Sequence, residues 1–319
     1  LWTTTLPSAN PTVRAGRGLL DRRLVFLLGK GGVGRSTVAA ALGLLAARRG
    51  LRAMVVEVSG RGDVPRLFGR SAPVGVETEL APGLWSLDVD PRDALEEYLR
   101  DQLPVRLLAD VIGSSSTFGI VAAATPGLRE MLTIGKVWEL AQTPRRTPRA
   151  QPYDVVVVDA PATGHGLALL EAPRTFASAA AAGPIAAQGE RIAATLRDRS
   201  LTAMAAVATP ERPAVEELIA LRTALGGALD AELANAVATE RFSAQDADTL
   251  RSALEGPAAA PTGATREAVR AALDAHARAA AGRVQIERLQ RAVELPLIIA
   301  AQLGAGELQL LADALEEAA

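Results

Sequence analysis

The chain has 319 residues, 49% of them hydrophobic, enough to bury a substantial core as one large domain or two ordinary ones. Its 34 Lys and Arg nearly balance 36 Asp and Glu, so charge gives no case for nucleic acid or an anionic membrane surface. The absence of cysteine excludes disulfides, thiolate metal sites and cysteine nucleophiles and fits a cytoplasmic location. No apolar run reaches the roughly 18 residues of a membrane span.

Residues 1–21 lack the apolar stretch of a signal peptide and read as a flexible tail, with a trimmed or recoded start in place of Met. Leu24–Leu28 is a short apolar run ending at a glycine cluster, the pattern of a buried parallel strand. The Ala/Leu-rich stretch from Ser36 to Arg49 stops at Gly50 and predicts a helix. Met54–Val58 is a second strand, which makes a βαβ unit. From Pro91 to Gln142 the composition predicts helices, broken at Gly113–Ser116 and at Pro126-Gly127, as an insertion on the sheet. Thr143–Gln151, with Arg145, Arg146 and Arg149, reads as a solvated loop. Four valines, Val155–Val158, form the clearest buried strand and lead into Asp159. Thr202–Ala208, Ala234–Thr239 and Val293–Ile299 are further strands, with Ala177–Gly183 and Ala258–Ala260 as connectors. Strands alternating with helices predict an α/β fold with a parallel sheet, helices on both faces and a helical insertion.

The stretch with chemical content is Gly29-Lys30-Gly31-Gly32-Val33-Gly34-Arg35-Ser36-Thr37, between a strand and a helix. Glycines there let backbone N–H groups converge, and the helix N-terminus adds partial positive charge, so the loop is a phosphate cradle. Gly29, Gly31 and Gly34 satisfy a dinucleotide fingerprint, with Glu57 placed as a ribose-binding acid, the signature of an NAD(P)-dependent oxidoreductase. The same residues fit a P-loop, with Arg35 at the usual lysine position and Ser36 as magnesium ligand. Asp159 favours the P-loop, because an acid at the tip of a buried strand far downstream is what orders Mg²⁺. The loop after it, Ala160-Pro161-Ala162-Thr163-Gly164-His165, stands where a switch would sense a terminal phosphate.

The lysine early in Lys30-Gly-Gly-Val-Gly, with the Asp159–His165 segment, resembles the deviant P-loop ATPases of the arsenite-pump and tail-anchored-protein-targeting branch. The likeness runs from Leu24 to the C-terminus. Thr209-Pro210-Glu211 is similar to a family turn, Asn235 stands where the family reads adenine, and Pro296 where it has a proline near the base. The resemblance implies one P-loop ATPase domain over 22–319 with its insertion at about 91–142. It also implies Mg²⁺-dependent ATP hydrolysis that couples nucleotide state to a helical client- or partner-binding region. The enzyme would be a homodimer, or a heterodimer with a related ATPase subunit, in which Lys30 reaches the other subunit's phosphates. A hydrophobic or membrane-protein client would meet the insertion, where Phe118, Ile120, Val121, Leu128, Met131 and Leu132 cluster.

Three places depart from that family, one being the middle of Asp159–His165, which reads Ala-Pro-Ala and not Thr-Ala-Pro. Arg35 replaces the compact P-loop lysine with a longer planar cation, which makes a second reading possible: a catalytically impaired subunit that donates Lys30 to a paralogous partner. The first switch lacks the family's Asp-Pro-Ala-His, leaving Glu57, or failing it Asp63, to orient the attacking water. His165 belongs to the implied switch, and His276 has no evident role. Lys30 and Lys136 are the chain's only lysines.

Overall fold

The structure is a computed structural model that describes residues 17–58, 60–102, 127–147, 149–180, 183–255 and 261–317. A single helical turn, α1 (Arg17–Leu20), precedes strand β1 (Leu24–Leu28), whose five residues are all buried. Leu19 and Leu20 pack into the same core, so the tail expected up to residue 21 extends too far. Helix α2 (Arg35–Arg48) follows, then β2 (Ala53–Glu57) and the short α3 (Asp63–Leu67). Next come β3 (Thr78–Ala81), β4 (Leu84–Asp88), α4 (Pro91–Gln102), α5 (Leu128–Leu140) and β5 (Val155–Asp159). The chain continues through α6 (Thr163–Ala180), α7 (Pro184–Arg197), β6 (Thr202–Ala208), α8 (Arg212–Ala224) and β7 (Ala231–Val237). It closes with α9 (Ala244–Glu255), α10 (Gly263–Ile286), β8 (Val293–Pro296) and α11 (Ala305–Glu317).

Among the described residues these strands make one sheet in the order β3-β4-β2-β5-β1-β6-β7-β8. Every pair is parallel except the β3–β4 edge, where the chain returns antiparallel through Gly83. This is the expected α/β architecture with a mostly parallel sheet and helices packed around it. The central strands are buried on both faces, which is why they read as continuous Val, Leu and Ala.

Several boundaries differ from the sequence reading. β7 begins at Ala231 because Glu232, a residue unlike a buried strand, is satisfied inside by Arg222 at 2.8 Å and the Gln290 N–H at 2.7 Å. β8 ends at Pro296; Leu297 and Ile299 beyond it are exposed. Ala177–Ala180 form the last turn of α6 and are no connector. Gly113–Ser116, Ala258–Ala260, Phe118, Ile120 and Val121 lie outside the described residues.

The loop after α5 corrects a further expectation. Arg145 is not solvated: its side chain is wholly buried, donating to Glu139 at 3.0 Å and to Glu77 at 2.6 Å. Glu139 also pairs with Lys136, which reaches Glu97 of α4 at 2.7 Å, and Tyr153 Oη donates to Glu77 at 2.6 Å. These charges tie α4, α5 and the segment before β3 into one network. Buried charges persist only when paired and hydrogen-bonded on all sides, and this one meets that condition.

Candidate functional site

The carboxyl ends of the parallel strands form one edge, and the sequence-derived residues lie along it. Across the sheet it runs from Asp88 (β4) through Glu57 (β2) and Asp159 (β5) to the glycine loop after β1. It then continues past the end of β6 to Asn235 (β7) and Pro296 (β8). Glu57 is in register with both Asp88 and Asp159, so three carboxylates sit on adjacent strands. In open α/β sheets this edge is where ligands bind, at the point where the chain's winding reverses; here that is β1, between β5 and β6.

The loop from Gly29 to Gly34 is shaped by close approach. Gly29 has φ 144°, and a Cβ there would sit 2.3 Å from the Val207 carbonyl oxygen of β6. Gly34, at φ 83°, turns the chain into α2, and a Cβ there would sit 2.3 Å from Asn235 Nδ2. Gly31 and Gly32 at the loop's tip are exposed, Lys30 and Thr37 are half-exposed, and Val33 is buried. Lys30 makes no ion pair among the described residues.

At the start of α2 the Ser36 hydroxyl donates to Asp159 Oδ2 at 2.5 Å. The other oxygen, Asp159 Oδ1, is buried with no partner among the described residues, as is Thr163 Oγ1 at the start of α6. Burial pushes the Asp159 carboxyl up, partly offset by the Ser36 hydrogen bond and the Arg35 charge. A hydroxyl touching an acid with a vacant buried oxygen is a donor set that fits Mg²⁺, which takes one or two protein oxygens beside phosphate and water. Among the described residues no three His, Asp or Glu side chains are grouped to hold a metal by themselves.

Arg35 donates through Nη1 to the Ala160 carbonyl just past Asp159. Burial lowers its pKa, against the raising influence of Asp159 and Glu217. Glu57 is wholly buried: Oε1 accepts the Asp63 N–H at 2.7 Å and so caps α3, while Oε2 has no partner among the described residues. Burial, with Asp88 and Asp159 adding repulsion, raises its pKa to about 7. Such a carboxyl is inaccessible to a ribose hydroxyl, which removes the support that Glu57 lent to the dinucleotide reading. Asp63 is half-exposed and pairs with Arg66 at 2.7 Å.

On the other flank, Asn235 lies within β7, at a bulge where Ala236 takes φ 61°. Its Nδ2 donates to the Val33 carbonyl at 2.9 Å, so the side chain holds the phosphate loop. Pro296 is in register with Val237 and exposed at the same end. His165 lines a cavity of about 420 Å³ shared with Val58, Gly60, Asp90, Arg129 and Thr133, between the loop after β2 and α5. Asp88 belongs to the edge too, and no local sequence motif announces it.

Residues 22–182 match the ArsA_ATPase family, described as anion-transporting ATPase. The chain belongs to this family. Among curated relatives, the ATPase BagA of Mycobacterium tuberculosis is 29% identical over 218 residues, 65% of this chain and 64% of that protein. The arsenical pump-driving ATPase of Escherichia coli is 27% identical over 157 residues, 48% of this chain and 26% of that protein. The ATPase GET3 of Chaetomium globosum is 26% identical over 174 residues, 54% of this chain and 48% of that protein. The match thus spans just under two thirds of the mycobacterial relative and smaller shares of the others. No described helix of this ArsA-type chain is long and apolar enough to cross a membrane.

Proposed function

We propose that this ArsA-type protein binds Mg-ATP at the carboxyl edge of its sheet and hydrolyses it, alternating between open and closed forms of a cytoplasmic dimer. The observation that carries the reading is the Ser36–Asp159 contact, with one Asp159 oxygen vacant, beside a glycine cradle. In this reading the N–H groups of residues 29–37 take the phosphates and Asn235 fixes the loop that presents them. Asn235 and Pro296 flank the base. Ser36 and Asp159 would hold Mg²⁺, which when bound supplies charge neutralisation on the phosphate oxygens. Glu57 would orient water through Oε2, its oxygen without a partner among the described residues, once the turn that leads to Asp63 moves to admit solvent to this buried carboxyl. Lys30, half-exposed at the loop's mouth, is available to a neighbouring subunit's phosphates. The helical block of α4 and α5 would carry nucleotide state to a hydrophobic client or partner.

A titration with Mg-ATP, ATP in chelator and NAD tests the site. Mg-ATP should bind, NAD should not, and Asp159→Asn should abolish the benefit of magnesium while leaving metal-free affinity within a few-fold. Tight NAD binding indifferent to magnesium would overturn the assignment.

The engagement of Arg35 with Ala160 supports a second reading, in which this chain's own site turns over slowly and its Lys30 serves a related subunit. Mixing with such a subunit should then stimulate hydrolysis that is absent from the isolated chain.

A further inference from the structure

Asp88 closes β4 beside Glu57 and is 7% exposed. Both its oxygens serve one turn: Oδ1 accepts the Gly60 N–H at 3.0 Å and Oδ2 the Gly62 N–H at 3.3 Å. Those glycines, at φ 67° and 61°, flank Arg61, and the next N–H, that of Asp63, is taken by Glu57. The turn thus hangs from carboxylates on two adjacent strands, with an exposed arginine at its tip. The turn leads straight into α3, which packs on α2, the helix that the phosphate loop opens, and the Arg61 charge acts on Arg35 at that helix's first residue.

The placement is costly for a mere connection. A third carboxylate is buried in line with Glu57 and Asp159, where each repels the next and desolvation opposes ionisation. A turn could be closed with serine or a backbone carbonyl. An acid at Asp88 instead does what a single carbonyl cannot, accepting two N–H groups that straddle one residue. The charge inventory of the loop adds the reason. A P-loop needs a cation on the terminal phosphate, and at that position Arg35 already directs one donor, Nη1, to the Ala160 carbonyl.

We propose that Asp88 is a positioning residue that holds the Gly60–Gly62 turn so that Arg61 stands at the phosphate loop and receives the terminal phosphate of a nucleoside triphosphate. A guanidinium suits this task because its planar fork can donate twice to phosphate oxygens. The inference rests on the nucleotide reading above and deepens it by distinguishing triphosphate from diphosphate.

The test is equilibrium binding of a non-hydrolysable Mg-ATP analogue and of Mg-ADP to the full chain. The variants are Arg61→Ala, Arg61→Lys, Asp88→Ala, Asp88→Asn and the Arg61→Ala/Asp88→Ala double. Loss of a charge-assisted contact should cut the analogue-to-ADP affinity ratio by about tenfold or more in Arg61→Ala. Asp88→Ala should match it, and the double variant should lose no more than Arg61→Ala alone. Arg61→Lys should keep part of the ratio, and Asp88→Asn, with one accepting oxygen, should fall between. An unchanged ratio in Arg61→Ala overturns the proposal even if Asp88→Ala does not fold, and so do additive losses in the double variant. If the wild-type chain binds neither nucleotide, the nucleotide reading itself falls.

Discussion

Asn235 and Val33, 202 residues apart, are joined by a hydrogen bond from the Asn235 amide to the Val33 carbonyl at 2.9 Å. The residue that family resemblance assigns to adenine therefore also fixes the phosphate loop's backbone. Asn235→Ala should cost about 1 kcal/mol of stability and speed amide exchange in residues 29–34 without any nucleotide. Unchanged protection would mean the contact contributes nothing. Gly34→Ala should be worse, because a Cβ would meet the Asn235 amide at 2.3 Å on a backbone with left-handed φ.

Arg35 sits where a shorter cation would face the phosphates, and it bonds to Ala160 instead. Arg35→Lys frees that charge and should raise hydrolysis by the isolated chain. Lys30→Ala should leave nucleotide affinity of the isolated chain within a few-fold yet remove stimulation by a partner subunit. Steady-state phosphate release, measured alone and in mixtures, checks both. Brisk wild-type turnover that survives Lys30→Ala would defeat the trans-lysine idea.

The buried network around Arg145 predicts an acid-sensitive joint. Burial pushes Glu139 and Glu77 up, but hydrogen bonds and charge from Arg145 outweigh it, aided for Glu77 by Tyr153, and both end below the ordinary carboxylate range. A depressed folded pKa gives stability that is complete above the unfolded value and is lost as pH falls through the folded one. Arg145→Met should therefore cost about 3 kcal/mol near neutrality, since it removes the buried cation shared by Glu77 and Glu139 and leaves Glu139 with Lys136 as its one ion-pair partner. That deficit should narrow in denaturant melts below about pH 4.5.

Glu57 titrates with the opposite sign. Burial, with repulsion from Asp88 and Asp159, raises it to about 7, so between about pH 4.5 and 7 the folded chain keeps a proton that the unfolded chain has released. Stability from this group is present at low pH and falls as pH rises across that window. Glu57→Gln keeps an acceptor for the Asp63 N–H and should gain on wild type by up to about 3 kcal/mol at pH 8, with little gain at pH 4. Equal gains at both pH values would contradict the assignment.

How much of this was legible depends on where each residue's partner lies. The phosphate loop, β1 and the strand ending at Asp159 carry local signals, glycine spacing and unbroken apolar runs, and β1, β5 and β6 stand close to where those runs end. Asp88 has no such signal. It becomes a neighbour of Glu57 only when β4 pairs with β2, and the polar, half-exposed β3 beside it does not read as a strand at all. Arg145 misled because an arginine in a polar loop is normally solvated, while its partner Glu77 lies 68 residues upstream. Asn235 was placed at the right end of the sheet, but its second role depends on a bulge that spacing does not encode.

The economy of lysine has a practical consequence. Lys30 and Lys136 are the chain's only ε-amines. Lys136 is 15% exposed and held by Glu97 and Glu139, whereas Lys30 is half-exposed at the phosphate loop without an ion pair among the described residues. An amine-directed acylating reagent thus becomes close to a single-site label, attaching at the mouth of the loop in preference to anywhere else on a side chain. The yield of one adduct by mass would report who occupies that mouth, whether a ligand or a second subunit, with no engineered handle.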